Sequence, residues 1–257
     1  MNRSRRSIIL ISLCGVVLTA LIVGIYLRAR SDVPEIYLPD AVETTTAGEE
    51  IGIYGGLERV KVTADNVQAV IGTLNLNRPS CYSRTLRIEK FWDGGTSAYD
   101  IDVVVYQGIT KASNFGIGKM VIVTPENLYI WYEGNTDYYK GRVAPQGGSE
   151  YIAQQYQEII TCEEILSLDK NSIVEADYAV YEGEQCIYVE YLEENLGYRM
   201  KAYVSITSGL LFAAEEFDGD MRIYKMSESK ISFELPPESD FELPDGVNVL
   251  VSEEGAG

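Results

Sequence analysis

The side chains that commonly carry catalysis are scarce in this sequence. None of its 257 residues is histidine, which excludes a histidine-based triad and the common histidine zinc sites. Outside the apolar N-terminal stretch the cysteines are Cys81, Cys162 and Cys186, and none of them forms a CxxC pair. Cys162 precedes two glutamates, which raise a thiol pKa, so it is a poor nucleophile. We expect buried thiols, with a Cys162–Cys186 disulfide as the alternative.

The acidic residues form no recognisable catalytic or metal-binding pattern. Asp218-Gly219-Asp220 could begin a calcium loop, but the twelfth position of an EF-hand would be Ser229 instead of glutamate. We therefore interpret it as a hairpin turn. Glu215 and Glu216 are adjacent on a predicted strand and point to opposite faces, so they cannot flank one glycosidic bond. The sequence also has no P-loop, GxGxxG or GxSxG motif. We expect no enzyme activity, no metal and no cofactor.

The net charge excludes nucleic acid as a partner. The chain has 39 acidic and 21 basic residues, and five of the basic residues lie before position 31. Residues 31–257 therefore carry 39 acidic against 16 basic groups, a net charge of −23. Such a surface repels phosphate backbones.

An apolar stretch near the N-terminus predicts a membrane anchor. Residues 7–27 carry no charge and match the thickness of a bilayer as one helix. Arginines precede it, so we expect residues 1–6 to be a short cytoplasmic tail. Residues 28–56 then form a flexible acidic linker, and residues 251–257 a disordered tail. The expected protein is a single-pass cell-membrane protein whose main domain, 57–250, is extracytoplasmic. A cleaved signal peptide is the alternative.

The main domain alternates two helical segments with runs of short strands. Val67, Val70, Ile71 and Leu74 form a helical stripe within 63–74, which Thr63 can cap. A second helix is predicted over 149–168, with Ser149 as its cap. The predicted strands are 84–92, 98–108, 109–114, 119–124, 127–133 and 136–140, followed by 173–181, 185–193, 197–206, 210–217, 221–227 and 230–235. Short connections between strands indicate an antiparallel sheet, so the fold class is α+β.

Strand alternation indicates a sheet with one polar and one apolar face. In 98–106, Asp100 and Asp102 alternate with apolar residues, whereas Leu128 to Tyr132 is apolar on both faces and predicts a central strand. We take the apolar residues of three strands as candidates for lining a ligand groove. They are Ile101, Val103 and Val105; Leu128, Tyr129, Ile130, Trp131 and Tyr132; and Met200, Val204 and Ile206.

Three C-terminal motifs resemble the LolA-like superfamily, which includes outer-membrane lipoprotein carriers, lipid-binding lipoproteins and germination lipoproteins. They are Gly197 to Leu211 (GYRMKAYVSITSGLL), Ala214 to Asp220 (AEEFDGD) and Phe241 to Gly246 (FELPDG). The resemblance implies a strongly curved, unclosed antiparallel half-barrel whose concave apolar face is covered by helices. It implies binding of acyl chains or a hydrophobic partner, without catalysis. Two features depart from the superfamily: the predicted anchor and the absence of a convincing lipobox around Cys14.

The expected function is therefore binding of a lipid, a lipoprotein or a hydrophobic partner segment in a concave groove. The alternative is a structural or regulatory protein–protein interaction module of the cell envelope, whose core is filled by its own side chains. The sequence does not distinguish an open groove from a filled one.

Overall fold

The domain is built on one large antiparallel sheet with three short helices. The computed structural model describes residues 61–143, 148–193 and 196–250, which lie in one compact unit from Tyr54 to Gly257. Its helices are α1 (Val67–Leu76), α2 (Ser149–Tyr156) and α3 (Cys162–Ser167). Its strands are β1 (Tyr82–Trp92), β2 (Gly95–Tyr106), β3 (Ile109–Asn114), β4 (Lys119–Val123), β5 (Asn127–Tyr132), β6 (Tyr139–Arg142), β7 (Ile173–Tyr181), β8 (Glu184–Leu192), β9 (Arg199–Ser205), β10 (Leu211–Asp218) and β11 (Met221–Ser232).

The strand order is β6-β5-β4-β3-β2-β1-β11-β10-β9-β8-β7, and every neighbouring pair is antiparallel. The sheet is thus two meanders, β1–β6 and β7–β11, joined where β1 pairs with β11. In the described residues β6 and β7 are its edges, so it is not closed. The predicted antiparallel α+β fold is confirmed at this level.

The helices cover one face of the sheet, which we call the inner face. Leu86 and Ile88 of β1 project onto it, alternating with residues such as Arg87 that point to the outer face. Inner-face residues of β1–β5 and β8–β11 belong to one buried cluster that also contains Ile71 of α1 and Ile165 of α3. This cluster is the core of the domain.

Side-chain amides fix the helices in place. The Nε2 of Gln68 on α1 donates to the carbonyl oxygens of Ile165 and Leu168, at 3.1 and 2.9 Å, which joins α1 to the end of α3. The Nε2 of Gln157, just after α2, donates to the carbonyl oxygens of Ala112 and Lys119, at 2.9 and 3.0 Å. These bonds join α1 to the end of α3, and the segment after α2 to β3 and β4.

Both predicted segments are helical, but the predicted bounds and capping residues are wrong. The segment 149–168 contains two helices, because Glu158 adopts φ 58° after α2 and Thr161 then caps α3 by accepting from the backbone N–H of Glu164. Ser149 does not cap α2, whose N-cap is Gly148; its hydroxyl lies 2.9 Å from that of Thr110. The first helix begins at Val67 after Asn66, so Thr63 is not its cap.

Two strands that the sequence predicts as separate form one continuous strand. Residues 221–227 and 230–235 fall largely within β11, which continues to Ser232 past a register shift opposite Thr85 and Leu86. Such an irregularity lets a long strand bend without ending.

The predicted tail 1–6, anchor 7–27, linker 28–56 and C-terminal tail 251–257 all lie outside the described residues. Within 61–143, 148–193 and 196–250, no helix is both long and apolar enough to cross a bilayer.

Candidate functional site: the inner face and the hairpin rim

The structure places most predicted groove residues in the buried core of the inner face. Seven of the eleven are buried and the others, except Tyr132, are partly buried. The eight that contact the inner core are Ile101, Val103, Val105, Leu128, Ile130, Met200, Val204 and Ile206. The structure thus places these residues in one buried core cluster, which also contains residues of the helices. That they line a ligand groove stays a prediction.

The remaining candidates on β5 lie elsewhere. Tyr129 and Trp131 point to the outer face and pack in a second cluster with Phe241 and Leu243 of the C-terminal segment. Tyr132, at the end of β5, is 49% exposed. The strand is therefore sandwiched between two apolar layers, although its outer-face residues cannot reach the inner face.

A buried arginine lies within the apolar inner core, and sequence reasoning missed it. Arg84 is 4% exposed, its Nη1 donates to the carbonyl oxygen of Leu211 at 3.0 Å, and it lies 3.8 Å from the carboxylate of Glu228. Burial raises the pKa of Glu228, and the Arg84 guanidinium opposes that shift. The signal was available, since Arg84 occupies an inward position between Tyr82 and Leu86 on β1. A buried charge that is paired in this way has a structural role.

A second arginine links the helices that cover the core. Arg78, which follows α1, lies 3.6 Å from the Glu150 carboxylate of α2 and 3.2 Å from the Glu163 carboxylate of α3. Glu150 is buried and also accepts from Gln154 at 3.0 Å. Burial, reinforced by Glu150, raises the pKa of Tyr82 well above its usual range, so the phenol beneath this cluster stays neutral.

The two buried cysteines are poor nucleophiles. Cys81, Cys162 and Cys186 are all free thiols, so no Cys162–Cys186 disulfide forms. Burial raises the pKa of Cys162 and that of Cys186 to about 12, so both stay protonated at neutral pH. Among the described residues no group of three or more acidic or cysteine side chains is placed to hold a metal ion.

Apolar side chains are exposed along one end of the sheet. Because neighbouring strands are antiparallel, the β1–β2, β3–β4, β5–β6, β8–β9 and β10–β11 connections all lie at the same end. We call the exposed apolar residues there, each 44–68% exposed, the hairpin rim. Its members are Trp92, Phe115, Ile117, Tyr132, Leu192, Leu196 and Met221. Turns at strand ends are usually polar, so this row was visible in the sequence but was not recognised.

Exposed acids accompany the hairpin rim. Asp93, Glu133, Asp137, Asp218 and Asp220 occupy the same turns. The rim is therefore apolar and negatively charged at once, which suits an apolar partner with basic groups and opposes an anionic bilayer surface.

No protein-family model matches the sequence, and no curated protein matches it. Solved structures that are similar include an uncharacterized conserved protein from Thermus thermophilus, at 6% identity over 68% of this chain and 91% of that chain, with a TM-score of 0.46. A LolA superfamily protein from Nitrosomonas europaea is similar at 10% identity over 69% of this chain and 96% of that chain, with a TM-score of 0.31. The Pseudomonas aeruginosa MucA/MucB complex is similar at 11% identity over 67% of this chain and 59% of that chain, with a TM-score of 0.37.

One of these similar structures is described as a LolA superfamily protein. The likeness is one of fold alone. Because every one of these TM-scores is below 0.5, no ligand, partner or process of those proteins is carried over to this chain.

Proposed function

We propose that this protein is a non-enzymatic, membrane-anchored extracytoplasmic binding domain that takes up the acyl chain of a lipid or lipoprotein, or an apolar partner segment. The hairpin rim carries the proposal. Seven large apolar side chains exposed in one row cost solubility and are unusual on a surface with no partner. They lie at one end of the sheet whose inner face carries most of the predicted groove residues.

The arrangement of the core supports entry from the rim. Strands on both sides of the β1–β11 joint contribute to one core cluster, yet among the described residues the α-helices that cover it are three, of ten, eight and six residues. We infer that the sheet curls around these helices as a half-barrel, because a flat sheet of eleven strands would leave much of its inner face uncovered. An acyl chain would start at the rim and follow the inner face beneath α2.

The acidic turns favour one class of ligand. A free anionic lipid surface meets repulsion from Asp93, Glu133 and their neighbours, whereas a lipoprotein or protein segment with basic residues beside its apolar part is attracted. Anchoring through residues 7–27 would keep the domain near its own membrane, where such segments emerge. Single-pass anchoring and the extracytoplasmic location are part of the proposal.

A second candidate function rests on a different observation. Ile101, Val103 and Val204 have no exposed surface, which favours a core filled by its own side chains. In that case the protein is an interaction module of the envelope, and the hairpin rim alone binds a partner protein. The two candidates differ in whether an acyl chain reaches the inner face.

Photocrosslinking distinguishes the two candidates. The full chain in nonionic detergent is incubated with a diazirine-bearing diacylglycerol, which carries no charge, and the crosslinked peptides are mapped by mass spectrometry. The variants Ile117→Ser and Leu196→Ser remove two rim side chains. Leu76→Ser is the matched control, since Leu76 is 86% exposed at the end of α1, near the β9–β10 turn at the opposite end of the sheet.

We expect crosslinks on rim and inner-face peptides that persist after competition with excess detergent. Each rim side chain that the bound acyl chain covers contributes about 1 kcal/mol to the binding free energy. The double rim variant should therefore lose roughly tenfold or more in apparent affinity. The control should keep wild-type labelling. Labelling confined to rim peptides supports the interaction module instead. Labelling confined to residues 7–27 refutes acyl binding by the domain, both at the rim and at the inner face.

A further inference from the structure

A polar pocket lies on the outer face, opposite the helices. Its volume is about 340 Å³. Two rows of register-paired residues form its floor: Lys230, Thr85, Asp102 and Ser113 in one row, and Ser83, Val104 and Lys111 in the next. Asp240 of the short 3₁₀ helix Glu238–Phe241 and Phe115 of the β3–β4 turn complete the lining. The pocket lies on the face opposite the inner face, and it shares one residue, Phe115, with the hairpin rim.

Lys111 has an unusual environment for a basic residue of this chain. Five described lysines and arginines have side chains that make no hydrogen bond, ion pair or ring contact among the described residues: Lys61, Lys111, Arg142, Lys170 and Lys230. Four of them are exposed, and Lys111 alone is partly buried. Burial lowers the pKa of Lys111, although the charges of Asp240, Asp102 and Glu242 oppose that shift. Its ammonium has lost water without gaining a partner.

Ser113 adds a second unsatisfied donor. Its side chain is 6% exposed and lines the pocket two residues from Lys111 on the same face of β3. The hydroxyl has no hydrogen-bond partner among the described residues and is not among their fully buried unpaired atoms, so it is open to the pocket. Two neighbouring donors, one charged and one neutral, therefore face the same small space.

The pocket also contains acceptors that the lysines do not use. Asp102 accepts from the Thr85 hydroxyl at 2.7 Å, which leaves its second oxygen available. Neither Asp102 nor Asp240 lies within 4.0 Å of a lysine or arginine nitrogen of the described residues. Two ammonium groups and two carboxylates thus line one pocket without pairing. Arg84 also lines the pocket, but its guanidinium is bound in the inner core by Leu211 and Glu228, so the two lysines and two aspartates balance in charge. The surrounding domain is strongly acidic.

We propose that this outer pocket binds a small zwitterionic group that carries an oxyanion and an ammonium. The oxyanion pairs with Lys111 and Lys230 and accepts from Ser113. The ammonium pairs with Asp102 and Asp240. A simple anion is disfavoured because the acidic domain repels it, whereas a zwitterion is neutral and satisfies both signs of charge.

Two sources share this chemistry: a free amino acid, and the ethanolamine phosphate headgroup of a lipid. Phe115 bears on the choice, because it belongs to both the pocket lining and the hairpin rim. A headgroup in the pocket would place its glycerol end against an apolar side chain.

The test uses the full chain in nonionic detergent with its lysines ¹³C-dimethylated, so that NMR reports the pKa of each ammonium. The probes are glycine, O-phosphoethanolamine and inorganic phosphate, each at constant ionic strength. We expect a zwitterionic probe to bind and to raise the pKa of Lys111. The variant Lys111→Met should weaken binding at least tenfold, and Ser113→Ala severalfold, while Lys170→Met, at an exposed unpaired lysine, should leave it unchanged.

Tighter binding of O-phosphoethanolamine than of glycine identifies the headgroup as the source, and the reverse order identifies an amino acid. Phosphate binding as tightly as either zwitterion overturns the proposal, since it shows a plain anion site. Equal losses in Lys111→Met and Lys170→Met also overturn it, as does a Lys111 pKa that no probe moves. Ser113→Ala removes a single oxygen atom, so it keeps the test valid if Lys111→Met fails to fold.

Discussion

Gly209 is where the sheet and helix α1 approach most closely. It lies in the β9–β10 turn with φ +71°, and a Cβ built there would be 2.5 Å from the carbonyl oxygen of Leu74 and 3.0 Å from its carbonyl carbon. Both atoms are backbone atoms of α1, so no flexible side chain can move aside. Gly209→Ala should therefore displace the last turn of α1 from the inner face.

The magnitude follows from two separable costs. An alanine in the left-handed region loses about 1–2 kcal/mol, and an overlap with packed backbone adds about 1–3 kcal/mol. Gly108→Ala is the matched control, because Gly108 has φ +75° in the β2–β3 turn and a Cβ there would meet nothing within 4 Å. We expect Gly108→Ala to cost about 1–2 kcal/mol and Gly209→Ala about 2 kcal/mol more.

Urea unfolding followed by circular dichroism measures the loss of stability in each variant. Hydrogen exchange of the α1 amides shows whether the extra loss in Gly209→Ala arises at α1. The left-handed backbone costs both variants about the same, so the difference between their unfolding free energies measures the overlap with α1 alone. Equal losses in the two variants, within about 0.5 kcal/mol, would refute the close seating of α1 on the β9–β10 turn.

Two other predictions concern buried groups. Arg84→Met leaves the Glu228 carboxylate buried without its cation and should cost about 3–5 kcal/mol at pH 8. Burial already raises the pKa of Glu228 above its unfolded value and Arg84 opposes this, so the variant raises that pKa further. The folded variant then gains stability as pH falls below that pKa, and urea unfolding at pH 5 should show a smaller loss than at pH 8; equal losses would contradict the pairing. Iodoacetamide at pH 8 should alkylate the partly exposed Cys81 in the folded chain, while the buried Cys162 and Cys186 react only after unfolding. Mass spectrometry of the peptides checks this, and Cys162 reacting as fast as Cys81 would disprove its burial.

The strand faces were predictable because alternation depends only on neighbouring residues. Ile101, Val103 and Val105 were assigned correctly to one apolar face, and Leu128 to Tyr132 to a strand apolar on both sides. The sequence motifs also anticipated an unclosed antiparallel sheet. Local patterns suffice for these features.

Features that depend on distant contacts were not predictable. The helix break at Glu158 is set by the tertiary bonds of Gln157 to β3 and β4, which a helical stripe does not reveal. Strand alternation marks the position of Arg84 as inward, but only the assembled sheet brings its partner Glu228 of β11 beside it. The outer pocket joins β1, β2, β3 and β11 with Asp240, residues that become neighbours only once the sheet is assembled.

The pairing of β1 with β11 governs the order in which the molecule can fold. Ser83 and Ser232 are register partners about 150 positions apart, so closing this contact costs far more chain entropy than any hairpin in either meander. The meander β1–β6 can form early, but its β1 edge stays unpaired until β11 has been synthesised. A chain ending before residue 221 would thus lack the joint between the meanders and present an open strand edge, which is a template for aggregation.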